Sequence, residues 1–177
     1  SLAALSTLFL PSRLARGLDF QDGIYAKHQI LTTNNYCYNP HMDKRKVLFL
    51  CTGNSCRSQM AEAIVNARLG EQWQAVSAGT IPTGYVHPKA LAALQEIGIT
   101  HDGRSKSADE FRDVAFDVVV TVCDSAAEEC PVWLGQGRRR HHSFPDPAKT
   151  DDMADFRAVR DAIAREMPLL LSGPVSQ

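Results

Sequence analysis

Apolar positions along this chain switch repeatedly between two rhythms. Val47-Leu48-Phe49-Leu50 is an unbroken apolar run, the pattern of a short strand buried on both faces. Met60, Ile64 and Ala67 then fall at i, i+4 and i+7, which predicts a helix over 57–69 closed by Gly70. Residues 75–79 read as a second short strand. Pro88 opens a second helix, with Leu91, Leu94 and Ile97 on one face and Gly98 at its end. A third helix is predicted from Ser107 to Val114. The valine-rich stretch 116–122 is the next buried strand, and Ser143-Phe144-Pro145 a short edge strand. Residues 151–171 form the last helix, with Phe156, Val159, Ile163 and Met167 as its stripe. Strands alternating with helices imply an α/β fold, a small parallel four-stranded sheet flanked by helices. Ligands bind such sheets at the C-terminal strand edge. Cys51 and Cys123 each end a predicted strand, so the strand count alone brings both to that edge.

Residues 1–42 keep neither rhythm. Ser1 to Leu10 is mostly apolar, and the stretch after Gly17 becomes irregular and polar. No basic segment precedes the apolar part, which argues against a secretory signal. Residues 1–42 are expected to be a disordered or non-native extension, and residues 43–177 the folded domain, with Met42 as a start-like residue. Cys37 receives no role. The chain has 177 residues, 44% hydrophobic, and a net charge of −1. That fits one domain and gives no general pull toward nucleic acid or membrane. No apolar run approaches a membrane span. Five cysteines are an odd number, and their spacing matches neither a disulfide scaffold nor paired zinc knuckles. Redox-active thiols in a reducing cytoplasm fit better. The run Arg138-Arg139-Arg140-His141-His142 reads as a solvated surface loop.

The chemistry concentrates after the first strand, in Cys51-Thr52-Gly53-Asn54-Ser55-Cys56-Arg57-Ser58. A tight loop between strand and helix can wrap its N–H groups around one point and make an anion nest. The helix N-terminus adds positive partial charge, and Arg57 adds a bidentate fork for a tetrahedral oxyanion. Gly53 and Asn54 stand where a positive φ is expected. Cys51 lies at the floor, where the same field should favour its thiolate. A lowering of ~2 pH units would correspond to ~2.7 kcal/mol. Cys123 and Cys130, taken alone, read first as two small buried hydrophobes. Against that, Cys123 ends a strand on the active edge, and Cys130 lies in a polar segment. Asp146, before Pro147, reads in isolation as a turn residue.

The stretch Cys-Thr-Gly-Asn-Ser-Cys-Arg-Ser-Gln-Met-Ala-Glu, residues 51–62, resembles the low-molecular-weight protein tyrosine phosphatase superfamily. It is most similar to the branch of thioredoxin-coupled arsenate reductases, and the resemblance runs from about Lys46 to Met167. Phosphatases usually carry proline after the Arg-Ser pair; Gln59 stands here, as in the reductases. The resemblance implies an enzyme that reduces arsenate to arsenite for arsenic detoxification. Cys51 would attack arsenate held by residues 52–58 and Arg57, and Asp146 would protonate the departing oxygen. Cys123 would then attack Cys51, releasing arsenite, and Cys130 would attack Cys123. Thioredoxin would reduce the Cys123–Cys130 disulfide. If that segment is helical when reduced, seven positions span about 10.5 Å, too far for a disulfide, so it must open.

Under the same resemblance, the Ser58 hydroxyl helps hold the thiolate. Cys56 is a loop residue able to trap Cys51 off the path. Asn54, Glu62 and Ser77 match positions of a potassium site in some members. Lys106 stands at a fourth, acidic position, and its ammonium could substitute for the ion, so potassium dependence is not predicted. No tightly bound cofactor or other metal is implied. The expected partners are arsenate and thioredoxin, with no nucleic acid and no membrane, for a cytoplasmic monomer. The alternative is a low-molecular-weight protein tyrosine phosphatase, which needs Cys51, Arg57 and Asp146 but no second thiol. The tyrosines that often follow Asp-Pro in those enzymes are replaced by Ala148-Lys149-Thr150. A metalloid-binding sensor is a further alternative, and it would need neither Arg57 nor Asp146.

Overall fold

The computed structural model describes residues 43–123 and 135–173. The expectations for the 1–42 extension, for Cys130 and for opening of the segment after Cys123 lie outside the described residues.

Four strands pair as one all-parallel sheet: β1 Arg45–Cys51, β2 Trp73–Gly79, β3 Val118–Thr121 and β4 Arg138–His141. Their order is β2-β1-β3-β4. Three α-helices are present among the described residues: α1 Arg57–Leu69, α2 Pro88–Glu96 and α3 Met153–Ser172. β1 is central, and its side chains alternate between two cores. Val47, Phe49 and Cys51 join Met60, Ile64, Leu94, Phe156 and Ile163 from the three helices. Leu48 and Leu50 point the other way, toward Ala78, Phe116 and Val119. All four residues from Val47 to Leu50 are fully buried, hence the unbroken apolar run. β1 therefore delivers Cys51 to the helix-covered face at the C-terminal edge of the sheet.

Three expectations need correction. The predicted third helix is a single 3-10 turn, Ala108–Phe111, started by a capping box between Ser107 and Glu110. Phe111 and Val114, three positions apart, pack on the smaller core and suit that tighter turn better than an α-helical stripe. The fourth strand is Arg138–His141, inside the basic run, and Ser143-Phe144-Pro145 follows it, with Phe144 N–H donating to the Val122 carbonyl (3.1 Å). Here tertiary pairing overrides composition: β4 matches β3 residue for residue from Val118 to Thr121. Long arginine stems can lie along a sheet edge, and Arg140 carries its guanidinium to the Leu170 carbonyl of α3. The helix stripes also shift. Ala67 is exposed, and α2 buries Ala90, Ala93 and Leu94 while Leu91 is only half-buried.

α2 and α3 are tied by a buried cation. Arg160 donates to the Ala93 carbonyl (2.8 Å) and to Glu96 (2.9 Å), and Arg157 forks onto the same carboxylate. Arg157 and Arg160 together draw Glu96 down to about 2. No helix among the described residues is long and apolar enough to cross a membrane.

Ile163→Ala removes a fully buried side chain of α3, and it should cost about 2–5 kcal/mol of unfolding free energy. Leu169, 71% exposed on the same helix, should tolerate alanine within about 0.5 kcal/mol. Denaturant titration of both variants checks the assignment, and equal losses would contradict it.

Candidate active site

The loop from Cys51 to Arg57 is shaped by the segment beside it. The N–H groups of Thr80, Ile81, Thr83 and His87 donate to the carbonyls of Cys51, Thr52, Gly53 and Ser55, at 2.9–3.2 Å. Those four carbonyls are thereby held by the neighbouring segment. Asn54 N–H reaches Cys51 Sγ at 3.1 Å. Asn54 alone in the loop takes a left-handed conformation, with φ +47°. Gly53 does not, contrary to expectation; its value is space, since a Cβ there would sit 3.0 Å from the Thr83 methyl. Gly79 serves the same end, because a Cβ on it would press on Thr52 O at 2.5 Å and Asn54 N at 2.9 Å.

Asn54 is fully buried, and its side-chain amide has a partner in every direction. Nδ2 donates to Ser58 Oγ (2.9 Å) and Ser77 Oγ (2.8 Å), while Oδ1 accepts from Lys106 N–H (2.7 Å) and Gln59 Nε2 (3.0 Å). Gln59 Nε2 also reaches the Arg104 carbonyl at 2.8 Å, so it faces only acceptors. Gln59 Oε1 is therefore the acceptor for His101 Nε2, 2.7 Å away. Burial lowers the pKa of His101 and favours its neutral form. Beneath this layer Ser77 Oγ donates to Glu62 (2.5 Å), and the Lys106 ammonium pairs with the same carboxylate at 3.1 Å. The four residues matched to a cation site are thus brought together, with the Lys106 ammonium on Glu62.

Cys51 is 3% exposed, and its sulfur lies 2.9 Å from Ser58 Oγ. Burial pushes its pKa up; Ser58 pulls it back down, Cys123 adds to the rise, and the Asn54 backbone N–H opposes it. The expected lowered thiol is not what this balance gives, because desolvation outweighs the donors. Cys56 is also buried, which pushes its thiol up to about 11. That makes it a poor nucleophile at neutral pH. Cys123 is buried, and Thr52 Oγ1 stands 3.6 Å from its sulfur. Residues 71 positions apart in sequence thereby meet at one strand edge. Arg57 donates Nη1–H to the Phe144 carbonyl (3.1 Å), and its Nη2 lies 3.4 Å from Asp146 Oδ2. Asp146 caps the 3-10 turn Pro147–Lys149, accepting from Ala148 N–H at 3.3 Å. A cavity of about 340 Å³ opens over Cys51, walled by Arg57, Asp146, Thr83, Tyr85 and His87.

Sequence reasoning named Cys51, Arg57 and Asp146, which line one cavity, and Cys123, which lies beside Thr52. It missed the 80–87 wall, which carries no local motif. It noted Gln59 only as a departure from the phosphatases.

The low molecular weight phosphotyrosine protein phosphatase family matches residues 46–175. The chain belongs to this family. Among its relatives, an arsenate reductase of Halalkalibacterium halodurans is 44% identical over 132 residues, covering 71% of this chain and 94% of that one. Arsenate reductase 2 of Staphylococcus saprophyticus is 41% identical over 127 residues, covering 71% and 95%. Of solved structures, an arsenate reductase in the phosphate binding state superposes with TM-score 0.62 at 30% identity, covering 72% and 97%. A low molecular weight protein tyrosine phosphatase from T. tengcongensis gives 0.62 at 28%, covering 72% and 98%.

Alkylation of Cys51 by iodoacetamide should rise with pH through an inflection above the ordinary thiol value, because burial raises its pKa. Ser58→Ala removes a lowering contact and should move that inflection higher still. Mass-resolved alkylation rates from pH 6 to 11 provide the check. An inflection below the ordinary thiol value would contradict the burial argument.

Proposed function

We propose that this protein reduces arsenate to arsenite, using Cys51 as nucleophile and Cys123 as the second thiol of a relay. One observation carries the reading: a second buried sulfur, that of Cys123, lies 3.6 Å from Oγ1 of Thr52, the residue that follows Cys51. A phosphatase needs only one of the two sulfurs. The 44% identity to an arsenate reductase supports the same reading.

The loop N–H groups and Arg57 hold the arsenate oxygens. A dianionic arsenate brings its own proton acceptor, which suits a thiol that burial keeps protonated. Cys51 Sγ bonds to arsenic as its proton passes to an arsenate oxygen. Asp146 protonates the departing oxygen, which leaves as water. Cys123 then attacks Cys51 Sγ, and the S–As bond breaks with its electron pair on arsenic. The products are arsenite and a Cys51–Cys123 disulfide, so two thiols are oxidised for one As(V) reduced. Cys130 attacks Cys123 in turn and frees Cys51, and thioredoxin reduces the resulting disulfide. Cys51, Arg57 and Asp146 also suit attack on a phosphate ester, so a weak hydrolysis of small aryl phosphates accompanies the main activity.

With thioredoxin, thioredoxin reductase and NADPH supplied, arsenate should drive continuous NADPH oxidation. Cys51→Ser should abolish both this turnover and aryl phosphate hydrolysis. Cys123→Ser should abolish arsenate turnover and leave the hydrolysis. Sustained arsenate-dependent oxidation by the Cys123→Ser protein would remove the second thiol from the mechanism.

A further inference from the structure

The segment that carries Asp146 is fastened at both ends. At its start Arg57 reaches Asp146 and the Phe144 carbonyl. Five positions later stands Asp151, with φ +52°, a left-handed conformation uncommon outside glycine. Its N–H donates to the Pro147 carbonyl at 3.2 Å, so the turn that begins at Asp146 closes onto it. Its side chain faces the start of α2. Lys89 Nζ lies 2.8 Å from Asp151 Oδ2 and also donates to the Asp151 carbonyl. His87 Nε2 stands 3.5 Å from Oδ1.

His87 belongs to three parts of the site at once. Its backbone N–H holds the Ser55 carbonyl of the anion loop (3.0 Å), and its Nδ1 accepts Lys89 N–H (3.3 Å) as the cap of α2. Its ring stacks on Phe156 of α3 with centroids 4.7 Å apart, and it walls the cavity over Cys51. With Nδ1 accepting, the ring's remaining N–H points from Nε2 toward Asp151. Lys89 keeps the Asp151 carboxyl below its ordinary value, so it is ionised at neutral pH.

We propose that Asp151 is a positioning residue for Asp146: its clasp with Lys89 and His87 fixes the acid's distance from the anion nest. An exposed Lys–Asp pair adds little to stability. Three contacts on one residue that also closes the acid's turn define a geometry instead. The inference rests on Asp146 as the proton donor.

The test is a double-mutant cycle on single-turnover arsenite release from the reduced full chain. Asp146→Asn should slow release about 100-fold, as loss of a general acid does. Asp151→Asn keeps the size and the tolerance of the left-handed conformation but loses the charge. It should slow release about 10-fold, with the KM for arsenate unchanged, since small misplacements of catalytic groups are costly. In the Asp146→Asn background the same change should have less than about a twofold effect, because coupled residues are not additive. Lys89→Met should reproduce the loss and Lys89→Arg restore most of the rate, which covers the case of an unstable Asp151 variant. Additive losses, or no loss from either Asp151→Asn or Lys89→Met while Asp146→Asn is slow, would overturn the clasp alone. A normal rate for Asp146→Asn would overturn the acid assignment and the clasp with it.

Discussion

The site depends on one buried amide. Asn54 holds the anion loop in a left-handed turn, and all four hydrogen-bonding directions of its side chain are filled. A buried amide left half-satisfied costs about 1–3 kcal/mol for each missing partner, so each contact constrains the others. Ser58, held from one side by Asn54, is thereby placed against Cys51. Ser77, held from the other, passes the constraint to Glu62 and Lys106. The loop's shape is set from beneath by this network and from the side by four N–H donors of residues 80–87.

Burial gives that shape its chemical character. The nest removes Cys51 from water, which raises its thiol pKa, while Ser58 and the Asn54 backbone N–H aim at the sulfur to stabilise charge. These opposing effects suit a nucleophile that is protonated at rest and ionises as an oxyanion arrives. The same burial raises Cys56 to about 11, so both thiols of the loop are protonated at rest. Cys123 comes to Thr52 through strand pairing, because β3 runs parallel to β1 and both end at the same edge.

Much of this was legible in the sequence, for identifiable reasons. The Val47–Leu50 run, the cysteines at strand ends and the Cys-x5-Arg loop are local signals, and parallel strand order turns them into proximity. The errors lie where tertiary pairing or burial decides. Arg138–His141 is too polar to announce a strand, and only its pairing with β3 makes it one. Ser107 to Val114 carries a true cap but lacks the apolar positions to continue a helix. The direction of the Cys51 shift could not be read from motif alone, since the loop predicts donors but not how completely they are buried. Gln59 reaches Arg104, 45 positions away, and Asp151 is held by Lys89, 62 positions away, both beyond the reach of any local pattern.

The most direct test of the central claim is the disulfide left after one turnover. Reduced Cys130→Ser protein is mixed with arsenate without thioredoxin, quenched in acid, digested and mapped by mass, with arsenite measured in parallel. The account predicts about one arsenite per chain and a Cys51–Cys123 disulfide. Stoichiometric arsenite with Cys51 joined to Cys56 instead, or no arsenite from a protein that still hydrolyses aryl phosphates, would contradict it.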